Sequence, residues 1–84
     1  MPTNLNSFLA MQLEEQIYTV VNEGDYLARR YEEEPGVNLY NMGGFFCEVY
    51  YNYDINKIVR TETFTDSEKL QDFAIYVKLN DLGL

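Results

Sequence analysis

Histidine and tryptophan are absent from this 84-residue chain, cysteine occurs once, proline twice, and six lysines and arginines stand against fourteen acids. Each shortage removes a class of chemistry. Without histidine, and with Cys47 alone, there is no Ser-His-Asp or Cys-His nucleophile pair, no zinc site of the ordinary kind and no intrachain disulfide. A single thiol suits a reducing, cytoplasmic setting. Residues 1–12 hold no basic segment ahead of a long apolar run, so no secretory leader is expected. No stretch approaches the roughly 18 consecutive apolar residues of a membrane span. The few cations are dispersed apart from Arg29-Arg30, and a formal charge of −8 repels phosphate, so neither nucleic acid nor a membrane is an expected partner. No cofactor motif is present.

What the chain does have is apolar content. Hydrophobic residues make up 46%, with eight Tyr and five Phe, which argues for a folded state despite the charge. Residues 1–84 make a single domain. A chain of this size buries roughly 64% of its unfolded surface, enough for one modest core and too little for two lobes around a catalytic cleft. The acidity serves solubility, or affinity for a basic protein.

Leu9, Leu13, Ile17, Val20 and Val21 recur at steps of three and four and predict an amphipathic helix over 7–23. Asn6 or Ser7 caps its start, and Gly24 ends it in the left-handed conformation. The segment 26–33 is Tyr-rich and reads as a strand. Pro35 and Gly36 suit the two centre positions of a tight turn, with a positive φ at the glycine, joining it to a strand at about 37–42. Met42-Gly43-Gly44 makes a second turn. Strands follow at 45–51 and 58–64, separated by the polar run Asn52 to Lys57. Thr65-Asp66-Ser67-Glu68 forms a capping box, and Leu70, Phe73, Ala74 and Val77 predict a second helix over 66–79. The order α-β-β-β-β-α implies an α+β fold, a two-layer sandwich in which helices cover an antiparallel meander.

The run Gly43-Gly44-Phe45-Phe46-Cys47-Glu48-Val49-Tyr50-Tyr51, with Ile58-Val59 and a closing helix, resembles small uncharacterised bacterial proteins of this length. So does Leu13-Glu14-Glu15-Gln16 followed by Gly24. The resemblance implies a compact α+β domain and carries no activity.

The strand at 45–51 is the informative one. Alternation puts Phe45, Cys47, Val49 and Tyr51 on one face and Phe46, Glu48 and Tyr50 on the other. A sheet with one wet face should alternate apolar and polar, yet this strand is bulky both ways. With both helices on the Phe45 face, Phe46, Glu48 and Tyr50, joined by Tyr40 and Tyr31, form an exposed aromatic patch and hence an interface, for a homodimer or another protein partner. With one helix on each face, no patch remains. Arg29 and Arg30 point opposite ways on a strand. Arg30 is placed to pair with Glu48, Glu62 or Glu23, and either arginine is a possible anchor for an anionic small ligand. Cys47 reads as buried and inert. Asn52, Asp54 and Asn56 mimic the start of a calcium loop, but Lys57 stands where glycine is needed and Thr63 where glutamate is, so turn chemistry is the better account. The expected function is a non-enzymatic interaction module, with a ligand-binding regulatory domain or an acidic decoy as alternatives.

Overall fold

A computed structural model of the chain describes residues 3–31, 36–66 and Leu70. Two helices, α1 (Leu5–Leu9) and α2 (Leu13–Glu23), precede four strands, β1 (Asp25–Tyr31), β2 (Gly36–Asn41), β3 (Phe46–Asn52) and β4 (Lys57–Phe64). The strands form one antiparallel sheet in the order β1-β2-β3-β4, the meander that short connections favour. The helix expected at 66–79, its Thr65–Glu68 capping box and the turn tip at 32–35 fall on positions outside the described residues, Thr65, Asp66 and Leu70 apart.

The single helix expected over 7–23 is two helices. Asn4 caps the first, its Oδ1 accepting the Ser7 N–H at 2.8 Å, in place of Asn6 or Ser7. The chain turns at Ala10–Gln12 and starts again, with Glu14 and Glu15 in the first turn of α2 where the helix dipole favours negative charge. This break rephases the apolar pattern. Phe8 turns inward, fully buried, and meets Phe45 with ring centroids 5.2 Å apart. Leu9 and Val21, both expected on the inward stripe, are left exposed.

Gly24 is also corrected. Its backbone is extended, with φ −80° and ψ 144°, and the glycine is needed for space rather than handedness. A Cβ there would lie 2.7 Å from the Val20 carbonyl oxygen and 3.1 Å from Met42 Sδ. Gly36 belongs to β2, paired with Tyr31 and Tyr51, and not to a left-handed turn position; a side chain on it would strike the Tyr53 ring. The positive φ falls instead at Gly43, 100°, inside the β2–β3 turn closed by the Met42 N–H on the Phe45 carbonyl. In the β3–β4 turn, Asn52 Oδ1 accepts the Asp54 N–H at 2.9 Å and Asn56 takes the left-handed conformation at φ 56°, which is turn chemistry of the expected kind.

Two apolar clusters lie on opposite faces of the sheet. Phe8, Val20, Met42, Phe45, Cys47 and Val49 pack under the helices. Ala28, Val37, Leu39, Tyr50 and Phe64 pack on the far face, with Phe46 and Leu70 against them. The division of β3 into Phe45, Cys47 and Val49 on one side and Phe46 and Tyr50 on the other follows the strand period of two. Helix α2 crosses the sheet from β4 to β2: the Thr61 hydroxyl donates to Gln16 Oε1 at 2.6 Å near its start, and Gly24 abuts Tyr40 and Met42 at its end.

Candidate functional site

The far face does not present the expected aromatic patch. Glu48 is 3% exposed and Tyr50 4%, while Phe46 is half-buried and stacks on Phe64 at 5.2 Å. Phe64 and Leu70 pack on this face beside a charged network laid across β1, β3 and β4. Arg30 donates to Glu48 Oε2 at 2.8 Å. The Tyr50 hydroxyl donates to Glu62 Oε2 at 2.9 Å, Arg60 donates to Glu62 Oε1 at 2.7 Å, and the Arg60 guanidinium lies 3.8 Å from the Tyr50 ring centroid. Burial works against the Arg30 charge, but its hydrogen bonds to Glu48 and Tyr50 carry its pKa above the ordinary value. Burial, then the Glu62 bond, pushes the Tyr50 phenol up as well. Arg30 is therefore a structural partner of a buried carboxylate, and not a presented anion anchor.

Tyr40 lies on the other face from Phe46 and Tyr50. It pairs with Cys47 and packs against the helix-side cluster. The four-residue turn fixes this, because pairing Asn41 with Phe46 sets Tyr40 against Cys47 and Leu39 against Glu48. Tyr31 sits opposite Gly36 at the end of β1. Arg29, one residue from Arg30, is on the helix side, its guanidinium 5.4 Å from the Tyr53 ring centroid.

These placements assemble a different aromatic surface, beside α2 on the helix-side face. Gln16 and Thr19 of α2 face α1, through Gln16 Nε2 on the Phe8 carbonyl and the Thr19 hydroxyl against Met11 Sδ. Ile17 and Val21 lie on the opposite flank. There they line an apolar notch of about 30 Å³ with Val20, Tyr40, Val49 and Ile58. Tyr26 meets Tyr40 edge to face at 5.7 Å on one side of the notch. On the other side Tyr51, paired with Ile58, meets Tyr53 at 5.1 Å. Tyr18, one turn before Val21, extends the shelf outward. Tyr18 is 72% exposed and Val21 74%, with Tyr26 and Tyr53 at 55% and 50%. Burial, and then its neighbours Tyr26 and Cys47, raises the Tyr40 phenol pKa.

The signal for this shelf was in the sequence. Tyr18 and Val21 lie three apart, and the turn length puts Tyr40 in register with Cys47. Chemically the shelf offers ring faces, hydroxyls and a methyl-sized recess, with no nucleophile–base pair. Cys47 is fully buried beneath it, its thiol pushed up to about 12 by burial and then by Glu48. Among the described residues no three His, Cys, Asp or Glu side chains gather as a metal site, and no helix is long and apolar enough to cross a membrane. No protein family, curated protein or solved structure matches the chain.

Proposed function

We propose that this chain is a non-enzymatic protein-interaction module whose docking surface is the tyrosine shelf beside α2, rather than the Phe46–Tyr50 face. The observation that carries the reading is an apolar notch lined by the exposed Val21, with the half-exposed rings of Tyr26, packed on the notch-lining Tyr40, and Tyr53, packed on Tyr51 beside Ile58, at its two sides. Scattered apolar side chains are ordinary on a surface, but a contiguous group of this kind marks a place of contact. Aromatic residues at the centre of an interface contribute large contact area at little entropic cost. The notch, at about 30 Å³, is an order of magnitude below the roughly 300 Å³ of a small-molecule pocket, so it suits one side chain of a protein better than a metabolite. The reducing, cytoplasmic setting belongs to the same proposal and is supported by the single cysteine, which leaves no intrachain disulfide.

Affinity capture with three baits tests the reading. Val21→Gln on the shelf should lose partners that the parent chain holds, while Leu9→Gln, on α1 across α2 from the notch, should retain them. Far-UV dichroism checks that all three are folded. Identical capture by the three baits would remove the shelf as the docking surface.

A further inference from the structure

The break between α1 and α2 is shallow. Ala10 already lies in the right-handed helical region, at φ −79° and ψ −13°, and Gln12 departs from it in ψ alone, at φ −74° and ψ 162°. Ala10, Met11 and Gln12 all favour a helix. Gln12 gives the first turn of α2 no side-chain cap. In an unbroken helix the N–H groups of Leu13, Glu14 and Glu15 would donate instead to the carbonyls of Leu9, Ala10 and Met11. Leu9, 57% exposed beside the break, would rejoin the inward stripe of Leu13 and Ile17 at steps of four. What holds the chain bent is the seat of α1 on its own sheet. Phe8 is fully buried against Phe45, and Leu5 packs on the same cluster. Gln16 Nε2 donates to the Phe8 carbonyl at 3.0 Å, and Thr3 donates to the Glu23 carboxylate through its N–H and its hydroxyl at 2.7 and 2.9 Å. Within one molecule the helical preference of the hinge and the burial of Phe8 oppose each other.

Between two molecules they do not. We propose that the seat of α1 is also an interface for a second copy of this chain. Residues 10–12 straighten, α1 and α2 run on as one helix, and each copy's Phe8 seats against the other's Phe45 in a two-fold exchange of α1. The seat is remade between the chains, because Phe45, Gln16 and Glu23 stay with the sheet and α2 while Thr3, Leu5 and Phe8 travel with α1. Straightening gives up the Thr19 hydroxyl on Met11 Sδ, but that hydroxyl also donates to the Glu15 carbonyl at 2.9 Å. A five-residue helix has no stability of its own, so a released α1 must find a seat, its own or a neighbour's. The exchange is separate from the tyrosine shelf, which lies on the opposite flank of α2.

The test is size-exclusion chromatography with light scattering on the full chain, refolded from urea at increasing protein concentration. A dimer fraction should grow with concentration. In a dimer formed from an equal mixture of ¹³C-labelled and unlabelled chains, isotope-filtered NOEs should join Phe8 of one chain to Phe45 of the other. Gln12→Pro suits the observed φ of −74°, but in a continuous helix its ring would strike the Phe8 carbonyl. It should weaken the dimer about a hundredfold or more and leave the monomer's far-UV dichroism unchanged. Where the proline variant does not fold, two glycines inserted between Met11 and Gln12 lengthen the hinge and should weaken the dimer more than about tenfold. Val21→Gln should leave it intact. A chain that stays monomeric at every refolding concentration overturns the exchange, as does a Phe8–Phe45 contact confined within each chain, or a dimer indifferent to the hinge variants. A dimer that Val21→Gln disperses belongs to the shelf and likewise overturns it.

Discussion

The two faces of the sheet carry similar numbers of large side chains and treat them differently. On the helix side Phe8 packs against Phe45, Val20 of α2 joins Cys47 and Val49 with no ion pair among them, and the flank of α2 away from α1 is left open. That flank is the shelf of tyrosines. On the far side a buried ion pair and a hydroxyl–carboxylate bond lie among Val37, Leu39 and Phe64, and the centre is closed. Aromatic content therefore does not decide which face meets a partner. Coverage decides it, and polar groups can be the price of closure.

Four substitutions separate the faces further. The largest effect belongs to Phe8→Ala, which empties the site joining α1 to the sheet and should cost about 3–5 kcal/mol by urea denaturation. On the far face Glu48→Ala should cost about 3 kcal/mol, because Arg30 loses the buried carboxylate it donates to. Replacing both partners, Arg30→Met with Glu48→Leu, should recover most of that loss, and a double-mutant cycle measures the recovery. If the double variant is no better than Glu48→Ala alone, the far face depends on its polar network and not merely on the Arg30–Glu48 pair being complete. Next comes Gly24→Ala, whose methyl would press on the Val20 carbonyl and the Tyr40 ring; thermal unfolding should show a loss of about 1–2 kcal/mol.

At neutral pH the smallest effect is that of Cys47→Ala, about 1 kcal/mol, and its interest lies in alkali. The Cys47 thiol rises from 9.0 to about 12, chiefly by burial, and the Tyr40 and Tyr50 phenols rise above 10.0 for the same leading reason. In the unfolded chain these groups ionise at their lower, ordinary values. Their contribution is thus complete below about pH 9 and is lost as the pH climbs toward 12. Urea midpoints should be level from pH 7 to 9 and then fall, and Cys47→Ala should flatten the earlier part of that fall. A profile unchanged by the substitution would show that the thiol is not held neutral by the fold.

Much of this architecture was legible. The four strands were visible as apolar runs between turn residues, and the alternation along 45–51 correctly sorted Phe45, Cys47 and Val49 from Phe46, Glu48 and Tyr50. Register was harder, because each strand's period says which residues agree with one another and not which strand faces they join. Counting four turn residues from Met42 to Phe45 resolves it and moves Tyr40 to the helix side. The helix break was hidden because Ala10, Met11 and Gln12 are all good helix formers; burying Phe8 and Leu5 outweighed local propensity. The shelf was missed for a related reason, since Val21 fits an inward stripe only if the helix is continuous from residue 7.

Each outer strand of the sheet contains one residue too many for its neighbour: Leu27 is skipped between Tyr26 and Ala28 on β1, and Val59 between Ile58 and Arg60 on β4, while β2 and β3 match without interruption. Such insertions spoil the straight row of backbone donors and acceptors that would otherwise template a fifth strand from a neighbouring molecule. A chain with so many tyrosines and so little bulk is thereby steered away from fibril growth, and deleting Leu27 or Val59 should shorten the lag before thioflavin-positive aggregates form under agitation.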